Sequence, residues 1–397
     1  MEKLYKRKLV DEVLAYMNSK DAIVIYGARQ VGKTSLLRYL MDNHLGDNSF
    51  YFDLEIPRLL ELCNNGPEET YRYLIETGAD EGHRIFLVMD EIQYLEDPTK
   101  FIKIMHDHYP KVKLIVSGSS TFEIKKKFKE SLTGRTVNFE LWPLSFEEFL
   151  TFKEKTFRLS KENSETLNRE LVVLAKEFIR FGAYPRIVLE KSQEKKLTYL
   201  SQIINTYVRK DIRDIGNVRD ISDFNRLAEV LASQSGQLLN ASELSNTLGV
   251  NQRTIKGWLD LLENTFIIKR MTPFHRNLRS ELTKNPKVFF MDTGMMHLLW
   301  LKEFPKVILG NSFETFVFTE LAKARKKVNF WRTTNKQEVD FVIANKGLLG
   351  VEVKLNFQSA DKKALRFFGN EYKCKTEVVG LEGERTGRYI WELMKLL

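Results

Sequence analysis

The feature that most constrains this chain is Gly27-Ala28-Arg29-Gln30-Val31-Gly32-Lys33-Thr34, a G-x4-G-K-[ST] string. Before it runs a β-branched stretch, Ala22-Ile23-Val24-Ile25-Tyr26, and after it a helix-patterned one from Lys33 to Met41. A glycine loop between a strand and a helix turns backbone N–H groups inward, where they cradle phosphate oxygens at the positive helix end. In such a loop Lys33 reaches the β- and γ-phosphates and the Thr34 hydroxyl ligates Mg2+. The nucleotide-binding stretch therefore runs from Gly27 to Ser35, with ATP and Mg2+ as the expected ligands. An ordinary glycine turn is the alternative, and the flanking strand and helix argue against it.

The rest of the chain must accommodate that unit. At 397 residues it is longer than one compact domain usually is, so two or three domains are expected. Apolar residues at 43% and charged residues at 29% suit a globular protein rather than a disordered one. No stretch approaches the roughly 18 consecutive apolar residues of a membrane span. Met1 to Leu9 lacks the apolar core of a secretory signal. Cys63 and Cys374 lie far apart, without metal-ligand spacing or a disulfide framework. A cytoplasmic protein with no membrane partner is expected. The net charge of +9 is compatible with nucleic acid but does not require it, and runs such as Lys125-Lys126-Lys127 are ordinarily solvated faces.

Strand and helix patterns alternate through residues 1–145. A helix is expected over Leu4 to Met17, and strands at Phe50 to Leu54, Ile85 to Asp90, Lys113 to Gly118 and Phe139 to Leu141. Continuous apolar strands separated by helices predict an α/β domain with a parallel sheet buried on both faces. Residues 146–220 read as a helical connecting region broken at Phe181-Gly182-Ala183-Tyr184-Pro185. Residues 221–276 read as winged-helix-like, and 277–397 as a nuclease-like α/β domain.

Asp90 ends the apolar strand and Glu91 follows it. A carboxylate at that tip can hold Mg2+ through water, and the next acid can activate the attacking water. Ser117-Gly118-Ser119-Ser120, after the following strand, is either a hydroxyl-bearing tip near the γ-phosphate or a plain turn. These motifs, with Ile92-Gln93-Tyr94, Leu132-Thr133-Gly134-Arg135 and Pro143-Leu144-Ser145-Phe146, resemble prokaryotic AAA-type ATPases that carry a conserved C-terminal partner domain. The resemblance covers essentially the whole chain. It implies ATP binding and hydrolysis with Lys33, Asp90 and Glu91 as catalytic residues. It also makes Arg135 a candidate sensor or arginine finger, the alternative being a surface salt bridge. Nucleotide-dependent self-association is among the partners considered.

Ala241 to Val250 followed by Asn251 to Leu259 reads as helix, glycine turn, helix. Ile255, Leu259 and Leu262 form an apolar face, leaving Asn251, Gln252, Arg253 and Lys256 at the start of the second helix, where base readers sit. Phe266 to Met271 supplies a wing strand. DNA is the partner considered; a spacer or protein-contact role is the alternative, and Asp260 and Glu263 make this helix less basic than a typical reader.

Toward the C-terminus, Gly310 opens a helix-patterned stretch with Glu314 and Glu320, followed by strands at Gln337 to Ile343 and Leu349 to Lys354. Asp340, Glu352 and Lys354 match D-x(n)-E-x-K, with Glu352 and Lys354 on one strand face. Asp340 and Glu352 could then bind a second Mg2+, with Lys354 orienting water. This arrangement resembles the restriction-endonuclease-like, PD-(D/E)xK, superfamily, which adds Glu314 as the helix glutamate. The six residues between Glu314 and Glu320 put them on different helix faces. The alternative is a charge-bearing strand in a catalytically silent domain. Arg325, Lys326, Lys327, Arg332, Lys362 and Lys363 either track a phosphate backbone or are solvated surface.

Overall fold

A computed structural model describes residues 3–119, 132–207, 220–274, 285–333, 335, 337–344, 347–360 and 362–397. Ser120 and the run Lys125-Lys126-Lys127 lie outside these. Two compact units divide the chain, Met1–Trp142 and Pro143–Leu397.

In the first unit the order is α1 (Leu9–Leu14), β1 (Ala22–Gly27), α2 (Lys33–Leu40), β2 (Ser49–Asp53), α3 (Pro57–Asn64), α4 (Pro67–Glu76), β3 (Ile85–Asp90), α5 (Pro98–His108), β4 (Val112–Ser119) and β5 (Thr136–Leu141). The five strands form one all-parallel sheet in the order β2-β3-β4-β1-β5. Every residue of β1 is buried, as an unbroken apolar central strand requires. Gly27 has no room for a side chain, because a Cβ there would run into the Leu141 carbonyl oxygen of β5.

The helix expected from Leu4 to Met17 is shorter, Leu9–Leu14. The buried Lys113 ammonium of β4 draws the Tyr16, Ser19 and Asp21 carbonyls to itself at 2.7, 3.1 and 2.6 Å. Past Leu14 the chain instead tightens into i→i+3 turns, with the Tyr16, Met17 and Ser19 amides donating to the Val13, Leu14 and Tyr16 carbonyls. At the other end, Arg7 is drawn into the sheet's edge rather than into a helical turn.

The second unit runs α6 (Phe146–Phe152), α7 (Glu165–Phe181), α8 (Pro185–Leu189), α9 (Gln193–Tyr207), α10 (Ile221–Ser233), α11 (Ala241–Leu248), α12 (Gln252–Asn264), β6 (Ile268–Met271) and β7 (Lys287–Phe290). It continues with α13 (Thr293–Leu301), α14 (Gly310–Lys323), β8 (Lys327–Arg332), β9 (Glu338–Ala344), β10 (Leu348–Val353), α15 (Lys362–Tyr372), β11 (Lys375–Val379) and α16 (Ile390–Met394). The strands β6 and β7 pair antiparallel, and Leu238 bridges Lys287 beside them. The other four strands form a mixed sheet ordered β11-β10-β9-β8, antiparallel except for β10 with β11. Pairing of β8 with β9 shifts register between Asn329 and Trp331.

The stretches 146–220, 221–276 and 277–397, read separately from sequence, share one compact unit because α14 is buried nearly all round. On one side its Phe316 meets Phe146 and Phe178; on another its Phe318 stacks on Phe289 of β7 at 4.1 Å. A helix apolar on every face is a core element, and both the helical and the sheet halves fold onto it. The Pro143-Leu144-Ser145-Phe146 signature is a helix start. Ser145 accepts from the Glu148 amide, and the Glu148 carboxylate accepts from the Ser145 amide, a capping box opening α6.

His297 of α13 is fully buried, with Nδ1 at 3.0 Å from the Arg180 carbonyl and Nε2 at 2.7 Å from the Ser312 hydroxyl. Burial lowers its pKa from 6.5 to about 4. The unfolded chain therefore takes up this proton at a higher pH than the native chain does. The stability it contributes is complete above about pH 6.5 and is lost as pH falls through 4. Acidification from about pH 7 to about pH 4.5 is expected to remove roughly 2–3 kcal/mol through this group. Denaturant unfolding at both pH values, beside His297→Gln, measures it; equal acid sensitivity in the two proteins defeats the assignment.

Candidate active site

The phosphate loop runs from the end of β1 into α2. Gly32 precedes the first residue of α2 with φ 95°, a left-handed conformation that glycine adopts without strain. Lys33 is buried, and its ammonium donates to the Gly27 and Ala28 carbonyls at 3.2 and 3.1 Å, so it lies inside the loop's curve. Arg7, also buried, donates from its two terminal nitrogens to the Val31 and Trp142 carbonyls, each at 2.8 Å. It thereby fastens the loop to the chain leaving β5. Its sequence setting, Lys6-Arg7-Lys8, looks like any solvated basic run, and only the fold distinguishes the middle residue.

Asp90 is the hub of the site. The Thr34 hydroxyl donates to its Oδ2 at 2.6 Å and the Tyr51 hydroxyl to the same oxygen at 2.9 Å. Its Oδ1 takes the Glu91 amide at 3.1 Å and the Ser117 hydroxyl. Ser117 thus meets the strand-end aspartate. Tyr51 was missed by sequence reasoning because its role depends on β2 lying beside β3, and strand order is not written locally. Burial, reinforced by Asp90, raises the Tyr51 pKa well above its ordinary value, which keeps the hydroxyl a donor. The hydroxyl of Thr34 and the carboxylate of Asp90 are hard oxygen donors that fit Mg2+.

Glu91 follows with φ 57°, left-handed for a residue that pays no glycine's exemption there. Its carboxylate accepts from the Gln93 side-chain amide. Arg135, at the chain's entry to β5, makes a two-pronged pair with Asp107, at 2.9 Å from Nε and 3.0 Å from an Nη nitrogen. Both side chains of this pair are partly exposed.

In the second unit the structure brings together Glu314 of α14, Asp340 of β9, Glu352 of β10 and Lys354 just beyond it. Lys354 lies 3.4 Å from Asp340 and 2.9 Å from Glu352. Asp340 also accepts the Val353 amide at 2.7 Å. Sequence reasoning missed two members, Lys287 of β7 and Glu338 of β9; the Lys287 ammonium lies 3.3 Å from Glu314 and 2.6 Å from Glu338. Burial pushes Glu314 up to about 7, against the pull of Lys287. Burial would lower Lys354, but Asp340 and Glu352 overcome it and hold the ammonium above its ordinary value. Glu320 turns away, accepting from the Phe146 amide at 2.9 Å. Among the described residues no three His, Cys, Asp or Glu side chains converge as a metal-holding group.

On α12, Ile255, Leu259 and Leu262 are buried while Arg253 and Lys256 are exposed. Asn251 caps the helix, accepting from the Arg253 amide at 2.8 Å. Arg270 of β6 pairs with Asp260 at 2.8 Å and with Glu263 at 2.5 Å. The acids that make this helix less basic are thus neutralised from the neighbouring strand. Of the outer basic residues, Arg332 pairs with Glu338 at 3.4 Å and Lys326 donates to the Leu397 carbonyl at 2.8 Å.

Residues 19–150 match the AAA domain family. Residues 173–306 and 309–396 match two domains of unknown function, DUF8612 and DUF4143. The N-terminal unit thus carries an AAA-like P-loop domain. The chain is 26% identical over 350 residues to an uncharacterized protein of Methanocaldococcus jannaschii, covering 86% of this chain and 76% of that one. It is 27% identical over 349 residues to one from Haemophilus influenzae, covering 85% and 83%. Among solved structures, the Walker-type ATPase of Pyrococcus abyssi aligns with TM-score 0.49 and 14% identity, over 75% of this chain and 96% of that one. No helix among the described residues is long and apolar enough to cross a membrane.

Proposed function

We propose that this protein is a Mg2+-dependent ATPase that uses nucleotide hydrolysis to control DNA binding by its C-terminal unit. The observation that carries the ATPase half is the Thr34–Asp90 contact at 2.6 Å with Glu91 adjoining it. Bound there, Mg2+ would neutralise charge on the β- and γ-phosphates. The loop amides bind phosphate oxygens, Lys33 meets the terminal phosphates, and Glu91 takes the proton of the attacking water.

The DNA half is supported by three features of the second unit. Helices α10 to α12 followed by the antiparallel pair β6–β7 have the order of a winged helix, with residues 221–276 as its larger part. The exposed Arg253 and Lys256 stand in the first turns of α12, and the acids further along it, Asp260 and Glu263, pair with Arg270. The succession α14, β8, β9, β10, α15, β11, with β11 parallel to β10, supports a nuclease-like fold for residues 277–397. Anisotropy titration of labelled duplex against salt tests this reading. Arg253→Ala with Lys256→Ala should weaken binding to every sequence and reduce the salt slope by roughly 2. Unchanged binding and slope remove α12 from the interface.

A second reading is a nucleotide-driven assembly switch with a silent C-terminal domain, favoured by the two lysines that occupy the Glu314–Asp340–Glu352 cluster. Sedimentation with and without ATP, beside Arg135→Ala, separates the two. ATP-dependent self-association without DNA affinity favours the switch. Metal-dependent DNA cleavage lost in Asp340→Ala and Lys354→Ala would overturn it.

A further inference from the structure

The carboxylates of the C-terminal cluster are the kind that hold a divalent cation, but their surroundings do not fit one. We infer that the Lys287 ammonium is the resident cation of this cluster and takes the place of a divalent metal.

Lys287 comes from β7, the strand paired with β6, and not from the α14–β11 succession that carries the carboxylates. Its side chain is only 5% exposed and ends 2.6 Å from Glu338 and 3.3 Å from Glu314. Lys354 covers the other side of the cluster, within reach of Asp340 and Glu352 together. Arg332 adds a third cation on Glu338. Four carboxylates thus face three fixed positive charges, and little net negative charge is left to attract an ion.

Space and hydrogen bonding point the same way. Gly236 packs against the Glu314 carboxylate so closely that a Cβ there would lie 3.1 Å from Oε2. The Lys287 backbone is itself bridged to Leu238, two residues on, which fixes where its side chain starts. One oxygen of Asp340 already takes the Val353 amide and faces Lys354. Mg2+ gives up its waters reluctantly and needs near-octahedral room, which the buried Lys287 ammonium and the half-buried Lys354 beside it deny. A buried lysine in turn needs paired carboxylates, since an unpaired buried charge is strongly destabilising. Each side of the arrangement therefore requires the other, and divalent-ion chemistry at this cluster needs Lys287 displaced.

The inference rests on the nuclease-like reading only for the expectation that a metal belongs here; its test uses neither DNA nor cleavage. Mn2+ binding to the nucleotide-free full-length protein, followed by electron paramagnetic resonance, is compared in wild type, Asp340→Asn, Lys287→Met and the double variant. The Thr34–Asp90 site is the same in all four. Wild type and Asp340→Asn should bind alike, while Lys287→Met gains one Mn2+ that the double variant loses. Wild-type Mn2+ binding abolished by Asp340→Asn overturns the inference and needs no Lys287 variant to fold. A natively folded Lys287→Met that gains no site also overturns it, and Lys287→Gln repeats that arm should the methionine variant not fold. Loss of DNA binding in Arg253→Ala with Lys256→Ala bears on the proposed function alone.

Discussion

Lys33→Ala is expected to lower ATP affinity on the order of 100-fold, the loss of a charge-assisted contact of about 3 kcal/mol. The argument is geometric. Lys33 is buried at the first turn of α2, and its ammonium is already inside the loop, bonded to the Gly27 and Ala28 carbonyls. A short excursion from those carbonyls brings it to phosphate oxygens, so little ordering is needed on binding. Alanine keeps the helix but removes the only flexible cation of the G-x4-G-K-T string that follows Arg29. Titration calorimetry with ATP and Mg2+ measures the effect. Wild-type affinity in a folded Lys33→Ala would defeat the phosphate-loop assignment.

Glu91→Gln is expected to leave ATP binding near wild type and to slow hydrolysis roughly 10²- to 10⁴-fold, the range a positioned general base contributes. Glutamine is nearly isosteric but cannot take the water's proton. The backbone at Glu91 is left-handed, and its amide is anchored on Asp90 at 3.1 Å and on the Ser117 hydroxyl at 3.4 Å. Those contacts hold the residue at the strand tip whatever its side chain, so the substitution tests chemistry rather than folding. Single-turnover hydrolysis with preloaded ATP separates the step from binding. Wild-type turnover would assign the base elsewhere.

Legibility followed the range of the interactions. The G-x4-G-K-T string and the acids at the end of β3 are local patterns, and each occupies the element its neighbours predict. The apolar face of α12 is equally local: Ile255, Leu259 and Leu262 are all buried. The expected first helix ends early, in i→i+3 turns, and the carbonyls beyond it meet Lys113, far along the chain. Three parts of the chain read as separate share one unit because α14 is a core helix for all of them, which its own sequence does not announce.

By itself, then, the sequence determined the patterns that neighbouring residues can encode: a G-x4-G-K-T string, a strand-end carboxylate pair and a D-x(n)-E-x-K string. Tertiary structure alone decided which distant groups complete those sites. Strand order brings Tyr51 to Asp90, and the closing of β5 beside β1 brings Arg7 to Val31. The seating of β7 against α14 brings Lys287 to Glu314. A side chain's type is local, whereas the charge and hydrogen-bond partners it meets depend on how the whole chain packs.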